Sequence, residues 1–150
     1  MTDVIQVQEL LTRLDGSGSE TEWEAVLELR TTEGDRLPSL LLKHFRSSPR
    51  AGARASCVYH ATRFAKTNQE ALTLGLEALA DRAHAVRNRA CALLAFSQRT
   101  DMLPMLRARL EAVPDDSKGD LCAAIDAIES GNHNFFLDRD HSGKVAWNVD

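Results

Sequence analysis

Asp81-Arg82-Ala83-His84-Ala85-Val86-Arg87-Asn88-Arg89-Ala90-Cys91-Ala92-Leu93-Leu94 is the stretch on which the reading of this chain turns. Val86, Ala90, Leu93 and Leu94 recur at the spacing of one helix face, and Asp81-Arg82-Ala83 marks a tight turn before them. The pattern that starts at Val86-Arg87 occurs earlier in the chain as Ala53-Arg54-x-x-Cys57-x-x-His60-Ala61. It returns later as Ser117-Lys118-x-x-Leu121-x-x-Ala124-Ile125. A weaker copy, Ser19-Glu20-x-x-Trp23-x-x-Val26-Leu27, precedes the Ala53 copy at nearly the same interval. A helical unit that recurs so evenly buries its apolar face against its neighbours, so the copies predict stacked repeats.

Each copy is the second member of a helical pair. Val4 to Leu14 forms the first helix, stopped by Asp15-Gly16. Ser19-Glu20-Thr21-Glu22 then has the form of a capping box, with Ser19 capping and Glu22 reaching back. Pro38 sits near the start of the next helix, through Leu40, Leu41 and Phe45, and Ser48-Pro49 reads as a cap followed by a first-turn proline. Thr67 to Glu70 is a further capping-box pattern ahead of Leu72, Leu76 and Leu79. Thr100-Asp101 caps the helix of Leu103, Leu106 and Leu110, and Pro114-Asp115-Asp116-Ser117 breaks it before Leu121 to Ile128. The expectation is one domain over residues 1–150, with eight helices in four hairpins over 1–130.

The second-helix motif, with Asp81 six residues ahead of Arg87, resembles a HEAT repeat. The resemblance covers residues 1 to about 130 and is good only in the third repeat; Ser48 and Ala112 stand at the positions that match Asp81. It implies an all-α, HEAT-like α-solenoid in which Arg54, Arg87 and Lys118 bond within or between repeats and hold the stack. Such a motif specifies architecture rather than activity.

The net charge of -4 conceals a division. Residues 1–45 are net -5, residues 46–109 net +7, residues 110–130 net -5 and the last twenty net -1. That pattern concerns partners rather than fold. No apolar run approaches the roughly 20 residues that span a bilayer, and the N-terminal residues carry neither the basic nor the apolar region of a secretory signal. Cys57, Cys91 and Cys122 are widely separated, without the close pairs of a zinc site. They are read as buried thiols in a reducing cytoplasm. There is no Gly-rich phosphate loop and no nucleophile beside a base, so no catalytic residue and no cofactor are predicted. Asp138-x-Asp140-x-Ser142-Gly143 imitates half of a calcium loop, but Val149 stands where a liganding Glu is required. His133, Asp138, Asp140 and His141 fit no known metal-ligand spacing.

The candidate site is a surface. On the second helices, Tyr59, Arg63, Lys66, Arg89, Phe96 and Arg99 fall away from the apolar stripe, as a patch of bases with aromatics interleaved. Arg and aromatic residues together favour interfaces, and the patch points to an acidic partner. An acidic rim at Asp115, Asp116 and Asp120 is a second candidate, suited to a basic partner. Nucleic acid is a minor alternative, because the pI of 5.7 lies far below the usual footprint above about 9.

Residues 132–150 break the helical pattern. Phe135-Phe136-Leu137 and Val145-Ala146-Trp147-Asn148-Val149 are strand-like in composition, and Asp138 to Gly143 supplies turn chemistry. They predict a C-terminal β-hairpin that caps the fourth repeat, with Trp147 as a candidate partner contact. A small HEAT-like chain closing on Phe-Leu-Asp-Arg, a turn, Ser-Gly-Lys-Val and a Trp strand resembles small bacterial immunity proteins of polymorphic toxin systems. The resemblance implies a non-enzymatic inhibitor that neutralises a cognate toxin domain by direct binding and occlusion. A general scaffold or adaptor is the alternative.

Overall fold

Asp3, Ser19 and Asn68 each turn a side-chain oxygen onto an amide in the first turn of a following helix, at Ile5, Glu22 and Ala71. Such caps satisfy donors that a helix cannot satisfy itself. Together with Pro38 and Pro104 in the first turns of two others, they set the starts of five helices. The computed structural model describes residues 3–149, and those residues are all-helical in class. In chain order the helices are α1 (Val4–Thr12), α2 (Glu20–Glu33), α3 (Leu37–Ser47), α4 (Ala51–Ala61), α5 (Gln69–Leu79), α6 (His84–Ser97), α7 (Leu103–Arg109) and α8 (Asp115–Glu129). Three expected starts differ. Asn68 caps α5 where the capping-box pattern placed Thr67. Ser48 ends α3 rather than capping α4, whose N-cap is Arg50, and Thr100-Asp101 lies in a 3-10 turn leading into α7.

Consecutive helices pack as pairs in sequence order: α1 with α2, α3 with α4, α5 with α6 and α7 with α8. Between pairs, α3 meets α5, while α4 meets α6 and α6 meets α8. The core runs between these layers through Leu29, Leu41, Leu74, Leu93, Leu94, Leu106 and Leu121, each fully buried. Gly75 lets α5 approach α6 closely, since a Cβ there would fall 2.6 Å from the Leu93 side chain.

The repeated basic position forms a ladder along the second helices. Arg54 donates to the Asp81 carboxylate through Nε (2.9 Å) and Nη2 (3.2 Å), and to the Ser48 carbonyl at 3.2 Å. Arg87, one repeat on, donates to the Asp81 carbonyl (2.9 Å), the Ser117 hydroxyl (2.7 Å) and Asp116 (3.0 Å). Each arginine thus bonds the carbonyl six residues behind it and the start of the next repeat ahead. Lys118 donates to the carbonyls of Leu110 and Val113. Burial works to raise the Asp81 carboxyl, but its bonds to Arg54 and the Ala83 amide hold it below the ordinary value.

The C-terminal β-hairpin is not formed; among the described residues there is no strand. A 3-10 turn at His133–Phe136 leads into a folded loop instead. The tail satisfies its backbone through side chains rather than through a second strand. Asn134 Oδ1 accepts from the Trp147 amide (2.8 Å), and His133 Nε2 donates to the Trp147 carbonyl (2.9 Å). Asp138 is buried and accepts from Ser142 N, Ser142 Oγ and Gly143 N at 2.7–3.0 Å, so this half-loop closes on itself. The Ser142 hydroxyl and the two amides keep the Asp138 carboxyl below its usual range. The aromatic residues that suggested strands pack on helices: Phe136 is buried, the tail lies on α8 and α6, and Arg139 ties it to Asp120 of α8 at 3.0 Å.

Candidate partner-binding groove

The second helices gather the chemistry of this chain along one face. The α1–α2 loop is drawn against α4 there, where Gly16 (φ +83°) lies so near Gly52 that a Cβ would come 2.4 Å from its carbonyl oxygen. The Glu22 carboxylate fixes this contact. It is buried, and accepts from the amides of Gly16 (3.0 Å) and Gly18 (2.7 Å) and from the Ser56 hydroxyl of α4. Glu22 therefore caps the loop and joins α2 to α4, where the capping-box reading gave it only a local bond to its own N-cap.

His60 stands beside it, with Nε2 3.7 Å from Glu22 Oε2. Burial pushes the imidazole down to about 4 against the opposing pull of the Glu22 charge, so the ring is neutral at pH 7. Ser56 donates to Glu22 and not to His60, so the trio lacks the nucleophile-to-imidazole bond of a hydrolytic triad. His60, Trp23 and Tyr59 pack edge to face at interplanar angles of 84–89°, with centroids 5.0–6.1 Å apart. That interlocked cluster gives the face a preformed aromatic rim.

Two cavities open along this face. One of about 380 Å³ is bounded by Glu22, Trp23, Ser56, Tyr59, His60 and Arg89. The other, of about 230 Å³, lies between α4, α6 and the tail, among Tyr59, Arg89, Phe136, Arg139 and Trp147. Tyr59 and Arg89 line both, and the Arg89 guanidinium lies 5.1 Å over the Tyr59 ring. A larger depression of about 970 Å³, lined from α3, α4, α5 and the α5–α6 turn, is wide open, and its Arg46 and Arg54 are already bound to Glu77 and Asp81. Its size reflects openness rather than a prepared site.

The sequence candidates divide accordingly. Tyr59, Arg89 and Trp147 come together in the groove. Lys66 and Phe96 flank it: the ammonium sits 4.6 Å over the Phe96 ring, which is half-buried against Trp147 and His133. Arg63 is exposed and rests on the Phe64 ring, and Arg99 is bound to Asp101. The acids do not form one rim. Asp116 serves Arg87, Asp120 serves Arg139 and Asn88, and only Asp115 is fully exposed, 3.9 Å from Lys118. Sequence reasoning gave Glu22 a capping role, His60 a place in the repeat pattern and Phe136 a strand, none of them a place in the groove, and did not assign Arg139 a role. Trp23 was assigned to an apolar face without a role in the groove.

Cys57 and Cys91 are buried as expected, and burial pushes both thiols up to about 12. Cys122 is exposed on α8, contrary to expectation, because its position in the helix faces away from α6 and α7. Among the described residues no group of three or more His, Cys, Asp or Glu could hold a metal ion, and no helix is long and apolar enough to cross a membrane. Compared with protein-family models, with curated proteins and with solved structures, the chain shows no match to any of them.

Proposed function

We propose that this chain is a non-enzymatic protein-binding protein, built as a HEAT-like α-solenoid, whose partner docks in the groove of α2, α4, α6 and the C-terminal loop. The observation that carries the reading is the pair of adjoining cavities with Tyr59 and Arg89 at their junction. Aromatic and arginine anchors beside concave, preformed pockets are the groups that dominate binding energy at interfaces. The solenoid reading draws on Arg54 and Arg87, which make equivalent bonds in successive repeats, and on the stacking of α4, α6 and α8. The resemblance to immunity proteins makes the partner a cognate toxin domain, held and occluded in the cytoplasm.

Affinity purification of the tagged chain from its source cells tests this. The expected result is one stoichiometric protein whose toxic activity the chain suppresses, with binding lost in Tyr59→Asp at unchanged melting temperature. Recovery of several unrelated proteins would favour the adaptor reading. Full binding by Tyr59→Asp would move the docking surface elsewhere.

A further inference from the structure

We propose that the smaller cavity is a carboxylate pocket, which receives a Glu or Asp side chain of the protein partner with an adjacent apolar residue against its wall. The proposal rests on the protein-docking reading above and gives it a chemical specificity.

The argument begins with which donors are already engaged. Two arginines line this cavity, and Arg139 is committed within the chain to Asp120 and the Phe136 carbonyl. Arg89 is the exception on this cavity. It makes no hydrogen bond or ion pair among the described residues; its guanidinium lies over the Tyr59 ring, and its charge also acts on His60. A guanidinium carries five N–H donors in a planar fork that matches a carboxylate. Tyr59 and Trp147, which also line this cavity, carry a hydroxyl and an indole N–H that likewise have no acceptor among the described residues. Of the other polar groups, the Thr62 hydroxyl donates to the Val58 carbonyl and the Asn88 amide to Asp120, while Asn148 adds a side-chain amide with no partner among the described residues.

The described lining contains no carboxylate, and with Arg139 paired to Asp120 the uncompensated charge on it is that of the solvent-exposed Arg89. Ala92, Phe136, Leu137 and Val149 supply the apolar remainder. A few convergent polar groups in an otherwise apolar concavity describe a recognition pocket. The volume, about 230 Å³, holds roughly seven waters at their share of liquid volume. It suits a side chain rather than a strand of nucleic acid.

The test titrates the full chain, labelled with nitrogen-15, with a terminally blocked Gly-Leu-Glu-Leu-Gly peptide, its Gln counterpart and a single-stranded oligonucleotide. The expected result is that the Glu peptide shifts the Trp147 indole and Arg89 Nε–H resonances. The Gln peptide should bind about tenfold more weakly or worse, as should the Glu peptide to Arg89→Gln. Arg82→Gln, which lines neither cavity of the groove, should bind as the parent does. Equal affinity for Glu and Gln peptides would overturn the carboxylate assignment while leaving an apolar docking face. Failure of the Glu peptide to bind would overturn the pocket itself, and the Tyr59→Asp purification would still judge the docking reading separately. Tighter binding of the oligonucleotide, lost steeply with salt, would overturn both. Asp150 follows Val149 in sequence, so the titration is repeated on Asp150→Asn; a peptide that binds only this variant would name Asp150 as the occupant and overturn the proposal.

Discussion

Replacing Asp81 with Ala removes the acid that Arg54 faces across the repeat boundary. Both side chains are only 9% exposed, so the guanidinium cannot simply turn to water. Breaking a buried pair from one side costs about 3–5 kcal/mol, because an uncompensated charge is left behind. The Ala83 amide also loses its acceptor, but Arg54 keeps the Ser48 carbonyl and borders an open depression. The lower end of the range, about 3 kcal/mol, is therefore expected. At about 2–4 °C per kcal/mol for a chain of this size, the melting temperature should fall by about 6–12 °C. Removing both partners, as Arg54→Met with Asp81→Ala, should restore most of that loss. The pH dependence has a fixed sign. The folded Asp81 carboxyl lies below its unfolded value near 3.9, so its contribution is present above that pH and disappears as pH falls through the folded value. The gap between parent and Asp81→Ala should accordingly narrow in acid. Urea unfolding followed by circular dichroism measures all of this. A loss below about 1 kcal/mol, the level of an exposed ion pair, would refute the ladder as a stabilising device.

Truncation after Gly131 should lower the melting temperature by several degrees, since burying Phe136 alone is worth about 2–3 kcal/mol; unchanged melting would mean that the tail is not a structural cover for α6 and α8. A thiol reagent should modify Cys122 promptly, and Cys57 and Cys91 only at the rate of unfolding, counted by mass spectrometry. His60 is held neutral well below its unfolded value near 6.5, so the unfolded chain binds the extra proton first and stability should decline as pH falls from about 6.5 towards 4. His60→Gln should flatten that slope, and a His60 ring that titrates near 6.5 by NMR would contradict its burial.

The helical class and the ladder were legible because they depend on local spacing. Arg54, Arg87 and Lys118 fall at one position of a repeated motif; the two arginines make equivalent bonds there, while Lys118 reaches the Leu110 and Val113 carbonyls instead. The tail was not legible for the opposite reason. Aromatic and β-branched residues signal fitness for a half-buried surface, and a surface of helices serves as well as a neighbouring strand. Nothing local in Asn134 or His133 announces that they will take the Trp147 peptide from both sides. Asp116 and Asp120 looked like free acids because their partners, Arg87 and Arg139, lie far from them in sequence. Of the groove, Tyr59 and Arg89 could be found from helix faces, whereas the burial of Glu22 required the close approach of Gly16 to Gly52.

Asp81 is gripped from both directions, by Arg54 behind it through the carboxylate and by Arg87 ahead of it through the carbonyl. The last three helical pairs thereby share one chain of bonds and should open together as a cooperative unit. The first pair stands outside that chain and is fastened by the Glu22 staple to Ser56. Amide hydrogen exchange should show α1 and α2 opening at lower free energy than α4, α6 and α8. With that ordering the groove would have unequal walls: Trp23 belongs to the pair expected to open first and Arg89 to the unit expected to stay shut, so a bulky partner would enter by displacing one side without loosening the other.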